Sequence, residues 1–219
     1  MKAVQINVYG GVEVLDVIHD APQPVVSKDH VLVEVHAASL NPFDWIVVQG
    51  FAQKFLPLQF PATMGGDFAG IVTALGENVT EYKVGDAVYG QGAVFSGGTG
   101  AFAESIAADI HKIAPKPKNI DFTEAASLPL VAMSAMQALE THMKLTRGQK
   151  ILIHGGSGGI GTIAIQLAKA LGAYVITTVR GVDKDYVKGL GADEVIDFET
   201  QQFETMLSGL DAVFDMAGS

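Results

Sequence analysis

A chain of 219 residues that is 48% hydrophobic and only 17% charged can bury one large core or two ordinary ones. Its formal net charge of -10, with no cluster of Lys or Arg, excludes a general binder of nucleic-acid backbones or anionic membranes, so any anionic ligand has to be met by local geometry. With no cysteine, neither a disulfide framework nor a thiolate metal site can form within these residues, and any redox chemistry must be borrowed from a cofactor.

The opening run MKAVQINVYG alternates like a strand and lacks the basic and apolar regions of a leader. No stretch of about 18 uncharged apolar residues follows, so the expectation is a soluble, cytoplasmic protein. Up to about Pro117 the chain reads as short strands bounded by Gly, Pro, Asn or Asp: KAVQINV, HVLVEVHAASL, FAGIVTALG and DAVYG. This rhythm predicts a β-rich, barrel-like domain over residues 1–122. Within it, Pro42 bars continued strand pairing, which places Asn41 and Asp44 of NPFDW at a one-turn helix beside the loop.

From residue 123 the rhythm changes. Thr123 reads as the N-cap of a helix running to Leu139, and strand and helix then alternate through KILIH, a helix from Gly159 to Leu171, AYVITTV, DYVKGL, EVID, QQFETML and DAVFDM. Alternation of this kind predicts a parallel sheet with helices on its faces, so residues 123–219 form a doubly wound Rossmann domain with strand order 3-2-1-4, and the chain as a whole is α/β.

The segment HGGSGGIG places five glycines in eight positions between an apolar strand and an amphipathic helix. Gly156, Gly158 and Gly161 satisfy the G-x-G-x-x-G spacing, with Ser157, Gly159 and Ile160 between them. Such a turn lets backbone approach a pyrophosphate, and the helix N-terminus offers it unpaired N–H groups. At the end of the next strand stand Thr178 and Arg180, with no carboxylate before Asp183. A cation there pairs with a 2′-phosphate, which predicts NADPH over NADH, while Asp183 reads as the N-cap of the following helix.

With these features in place, the chain resembles the medium-chain dehydrogenase/reductase superfamily, and within it the zinc-independent quinone oxidoreductase and enone reductase branch. The resemblance rests on HGGSGGIGTIAIQLAKALGA, on ASLPLVAMSAMQAL and on NPFDW. It implies an N-terminal GroES-like β-barrel domain, a Rossmann domain that continues beyond Ser219, so that this chain reads as truncated at its C-terminus, and a full-length parent that forms a homodimer. It also implies that Asn41 and Ser134 contact substrate and nicotinamide and that Asp44 orients the loop.

Where zinc-dependent members carry Gly-His-Glu, this chain has Gly66 in place of the His and Asp67 in place of the Glu, so no zinc is expected. Without a Lewis acid, conjugate reduction of a quinone or an α,β-unsaturated carbonyl fits better than alcohol oxidation, with the developing enolate held by hydrogen-bond donors. The branch often carries Tyr and Arg after the loop Asp; here Ile46 and Val48 stand in that stretch. The expectation is therefore an apolar pocket edged by Phe43, Trp45 and Phe51, with solvent as proton source. The competing reading is a non-enzymatic dinucleotide-binding relative used for regulation or nucleic-acid binding, which the acidic charge disfavours.

Overall fold

The computed structural model describes residues 1–55, 57–92, 94 and 99–217. Two compact units divide the chain, Met1–Leu130 and Val131–Ser219. This division falls later than the 122/123 boundary drawn from the change of rhythm, because Ala125 and Ala126 are buried against Ala69 of the first unit.

The first unit contains β1 (Ala3–Ile6), β2 (Asp16–Ile18), β3 (His30–Ser39), α1 (Pro42–Val48), β4 (Ala62–Thr63), β5 (Asp67–Leu75), β6 (Ala87–Gln91), β7 (Ser105–Asp109), β8 (Ile113–Pro115) and α2 (Phe122–Ala126). Its strands form a sheet ordered β7-β3-β5-β6-β8 and a smaller one ordered β2-β1-β4. Alternate residues of β3, β5 and β6 point inward, so Val31, Val33, Phe68, Val72 and Val88 share one core with Ile106. A second core, of Ile6, Val47, Val48, Ala62 and Met64, lies where α1 meets the smaller sheet.

Between Val31–Leu75 and Ser39–Asp67 the β3–β5 ladder slips twice: Thr73 is left unpaired on β5, and His36 on β3. The two bulges cancel, so the register at the far end is the one the near end began with.

The second unit takes up the chain within α3 (Pro129–Met136) and continues through β9 (Lys150–His154), α4 (Gly159–Ala170), β10 (Tyr174–Val179), α5 (Lys184–Gly189), β11 (Glu194–Asp197), α6 (Phe203–Met206) and β12 (Ala212–Phe214). All strand pairs are parallel and the order is β11-β10-β9-β12, the 3-2-1-4 arrangement expected. Both faces of β9 are buried: Ile151 and Ile153 pack with Ala164, Ile165 and Ala168 of α4, while Leu152 packs on the other side with Ile176, Ile196 and Phe203.

The single helix expected from Thr123 to Leu139 is broken. Asp121, and not Thr123, caps α2: its carboxylate accepts the Glu124 N–H at 2.8 Å and Glu124 returns a bond to the Asp121 N–H at 2.9 Å. Pro129 then disfavours helical geometry at Leu128 and opens α3 itself, and the chain widens into a π-helical turn over Gln137–His142. Lys144, with φ of 51°, ends the run.

Candidate functional site

In the first unit, β-sheet register gathers the polar groups. Ser39 faces Asp67 across β3 and β5, and Asp67 faces Gln91 across β5 and β6, so the last residue of one strand, the first of the next and the last of the third stand in a row. Asp67 is 1% exposed, and its carboxylate accepts from four donors. Oδ2 accepts from Asn41 Nδ2 at 3.0 Å, Leu130 N–H at 3.0 Å and Ser39 Oγ at 3.4 Å, and Oδ1 accepts from Gln91 Nε2 at 3.3 Å. Burial pushes its pKa above the ordinary carboxylate value, and the donors pull back against that rise.

Beside it, Asp44 is also buried, and its Oδ2 accepts the main-chain N–H of Asn41 at 2.7 Å. Burial again raises its pKa, opposed by the N–H groups of Asn41 and Gly66 and reinforced by the charge of Asp67. Asp44 thus holds the main chain of Asn41 at the start of α1. Asn41, Asp44, Gly66, Asp67, Gln91, Lys112 and Leu130 line a cleft of about 170 Å³.

Of the three aromatics expected at its edge, only Phe43 lines the cleft; Trp45 and Phe51 are exposed on α1 and the turn after it. A hydrophobic rim there would need them folded inward, and the buried face of α1 is already filled by Val47 and Val48. A larger groove of about 750 Å³ runs past Met1, Gln5, Pro24 and Phe60, and several of its polar groups are committed locally: the terminal amine to Ala21, Gln5 to Thr63, and Ser27 to His30 in a tight turn.

In the second unit, the glycine turn joins β9 to α4. Gly155, which lies outside the G-x-G-x-x-G count, has φ of 74° and makes the turn possible. Gly156 is the residue pressed against the sheet, where a Cβ would meet Thr177 Oγ1 at 2.0 Å, and a Cβ on Gly161 would meet the Gly155 carbonyl at 2.3 Å. Gly158 is the N-cap of α4; it and Gly159 are exposed. The N–H groups of Gly159, Ile160 and Gly161 form the first turn of α4, which has no carbonyl four residues back within the helix. Bare backbone and oriented N–H groups at the carboxyl end of a parallel strand suit a dinucleotide pyrophosphate, so these residues fit the cofactor expected.

Around this turn, Thr178 is 3% exposed and its hydroxyl is engaged with His154 Nδ1 at 3.0 Å and the Gly155 N–H at 3.4 Å, so it braces the turn. Arg180 follows the end of β10 and is exposed. Asp183 occupies the position before α5 but does not cap it; its carboxylate accepts from Ser157 Oγ at 2.9 Å, tying the glycine turn to the segment after β10. Ser134, the third expected contact, lies partly buried in α3 of this unit. Asn41 and Asp44 are therefore brought together, and the glycine-turn residues are brought together with Thr178.

Sequence reasoning treated Asp67 only as a lone carboxylate and passed over Ser39 and Gln91. The signal that unites them is cross-strand pairing, which composition and spacing do not carry. Among the described residues, no helix is long and apolar enough to cross a membrane, and no three His, Asp or Glu side chains gather in a way that could hold a metal ion.

Residues 27–118 match the family described as alcohol dehydrogenase GroES-like domain, and residues 159–219 match that described as zinc-binding dehydrogenase. A chloroplastic quinone-oxidoreductase homolog of Spinacia oleracea is 38% identical over 216 residues, covering 95% of this chain and 64% of that protein. An NADPH-dependent alkenal/one oxidoreductase of Arabidopsis thaliana, also chloroplastic, is 38% identical over 225 residues, covering all of this chain and 58% of that protein. The chain thus spans about three-fifths of the length of these curated relatives. The solved structure of the quinone oxidoreductase from Coxiella burnetii superimposes with a TM-score of 0.91 at 38% identity, covering all of this chain and 69% of that one. Taken with the glycine turn and the parallel sheet order, this shows that the chain belongs to the medium-chain dehydrogenase/reductase superfamily, in its quinone oxidoreductase and enone reductase branch.

Proposed function

We propose that the protein reduces quinones or α,β-unsaturated carbonyl compounds with NADPH and without a zinc ion. The observation that carries the reading is the turn from Gly155 to Gly161, where close packing forbids side chains at Gly156 and Gly161 and the first N–H groups of α4 are left to a ligand. Relatives named quinone-oxidoreductase homolog and NADPH-dependent alkenal/one oxidoreductase support the substrate class and the cofactor. For the metal-free chemistry the support is Asp67, whose two oxygens are already taken by four donors and do not form part of a ligand set.

In this reading Gly158, Gly159, Ile160 and Gly161 hold the pyrophosphate, Ser157 and Thr178 keep the turn in shape, and Arg180 meets the 2′-phosphate. Bound NADPH supplies the hydride. Asn41 contributes a fixed polar group to the cleft, Asp44 holds its main chain, and solvent supplies the proton.

The test uses the purified full-length protein. Oxidation of NADPH should follow addition of simple quinones or enones and should be slower with NADH; inertness across a panel of both substrate classes overturns the proposal.

A further inference from the structure

Most polar groups of the 170 Å³ cleft are already spent. Asn41 gives the hydrogens of its side-chain nitrogen to Asp67 Oδ2 at 3.0 Å and Ser39 Oγ at 3.3 Å, and its side chain accepts the Asp44 main-chain N–H in a capping box at the start of α1. Its own main-chain N–H goes to Asp44 Oδ2 at 2.7 Å. Asp44 also holds the Gly66 N–H, Asp67 takes the Leu130 N–H at 3.0 Å, and the Gly92 N–H goes to the Gly66 carbonyl at 2.6 Å. Lys112, which also lines the cleft, is exposed and already engaged.

Gln91 is the exception. It ends β6 directly opposite Asp67 of β5, so both side chains leave the sheet on the same face. Its nitrogen donates to Asp67 Oδ1 at 3.3 Å, which fixes the orientation of the amide, because the flipped form would set one oxygen against another. An amide nitrogen carries two hydrogens, and the second has no acceptor among the described residues. The oxygen Oε1 accepts no bond among them either, yet no buried side-chain oxygen or nitrogen among them lacks a partner, so this end of Gln91 is open to solvent.

Resting on the reading of this cleft as the reduction site, we infer that Gln91 is a catalytic residue there: its second side-chain N–H donates to the carbonyl oxygen that gains charge as hydride arrives, and Asp67 fixes the amide for that task. Asn41, with both ends of its amide committed, is a positioning residue that shapes the loop, and not the substrate contact that the resemblance implied.

The experiment is made on the full-length protein by nuclear magnetic resonance of the side-chain amides during titration with 4-nitrophenolate, whose oxygen carries charge like that of the reduced carbonyl. In the free protein one Gln91 NH2 proton should be protected from exchange and the other should exchange with solvent. On saturation the second should move downfield and become protected, while both Asn41 NH2 protons are protected from the start and stay in place. A phenolate that does not bind, or that binds without moving the Gln91 signal, overturns the proposal.

Gln91→Met keeps the length of the side chain and removes its hydrogen-bonding groups. It should lower kcat for 1,4-benzoquinone about a hundredfold and leave KM within about twofold, because the donor meets charge that develops only in the transition state. A merely structural role at the end of β6 would not separate the two constants in this way. A kcat close to that of the wild type, or a loss confined to KM, overturns the proposal as well. If the wild-type protein reduces no quinone or enone, the function proposed above fails, while the titration still reads whether Gln91 gives its hydrogen to an oxyanion.

Discussion

Gly161→Ala tests the glycine turn directly. A Cβ built on Gly161 lies 2.3 Å from the Gly155 carbonyl oxygen and 2.8 and 2.9 Å from backbone atoms of Gly156. Every obstacle is main chain, so no side-chain rotation relieves it, and the start of α4 has to move about 1 Å from the turn to restore ordinary contact. Overpacking of this kind costs about 1–3 kcal/mol, against which alanine recovers about 1 kcal/mol of helix propensity. The net loss, up to about 2 kcal/mol and centred near about 1 kcal/mol, should lower the melting temperature by about 2–4 °C.

Gly189→Ala is the matched control. It lies in α5, nothing stands within 4 Å of its built Cβ, and the same added methyl should stabilise by about 0.5–1 kcal/mol. Because the shift displaces the N–H groups of the first turn, NADPH affinity should fall about tenfold in Gly161→Ala and stay at the wild-type value in Gly189→Ala. Calorimetry with nucleotide titration on the full-length protein reads both quantities. A Gly161→Ala variant that melts and binds like the wild type would refute the packing account of this turn.

Two further outcomes follow from charged groups. Asp44 and Asp67 hold protons more tightly folded than unfolded, so the folded state binds more protons from about pH 4 upward through their raised values, and stability falls as pH rises across that window. In Asp193 and Asp197, hydrogen bonds and the nearby Lys169 and Lys184 outweigh desolvation and lower the pKa values, so their contribution has the opposite slope and is lost as pH falls below the ordinary carboxylate range. Urea midpoints across this range should show a flatter upper limb for Asp44→Asn than for the wild type, and parallel curves would exclude the assignment. At the other site, Arg180→Ala should weaken NADPH binding about tenfold and leave NADH unchanged, whereas Asp183→Asn, by removing a carboxylate tied to the glycine turn at 2.9 Å, should tighten NADPH; titrations in low salt that show equal effects on both nucleotides would count against it.

The second unit was readable in advance because its signals are local. An unbroken apolar strand, a glycine turn and an amphipathic helix occupy consecutive residues, and the rule of right-handed parallel crossovers leaves little choice of strand order. Even there, the conformationally decisive glycine, Gly155, escaped the spacing rule because a positive φ leaves no trace in a pattern of names. Asp183 looked like a cap because it precedes a helix, but Ser157, distant in sequence, competes for its carboxylate.

The cleft in the first unit was half readable. Asn41 and Asp44 are three residues apart and form a local pair. Asp67 collects donors from residues 39, 41, 91 and 130, and that convergence depends on which residue faces which across three strands. The break between α2 and α3 was signalled by Pro129, and a helical periodicity that runs through a proline is weaker evidence than the missing N–H.

The bulges of β3 and β5 mark where this lineage can change length. Thr73 and His36 are each the extra residue of one bulge, so deleting Thr73 alone leaves Leu32 opposite Ala74 and Val33 opposite Val72, and deleting His36 alone leaves Val35 opposite Gly70 and Ala37 opposite Ala69. Either loss straightens its strand locally and keeps Asp67 across from Ser39 and Gln91, so an alignment of relatives should show single-residue gaps at these two positions arising independently of one another.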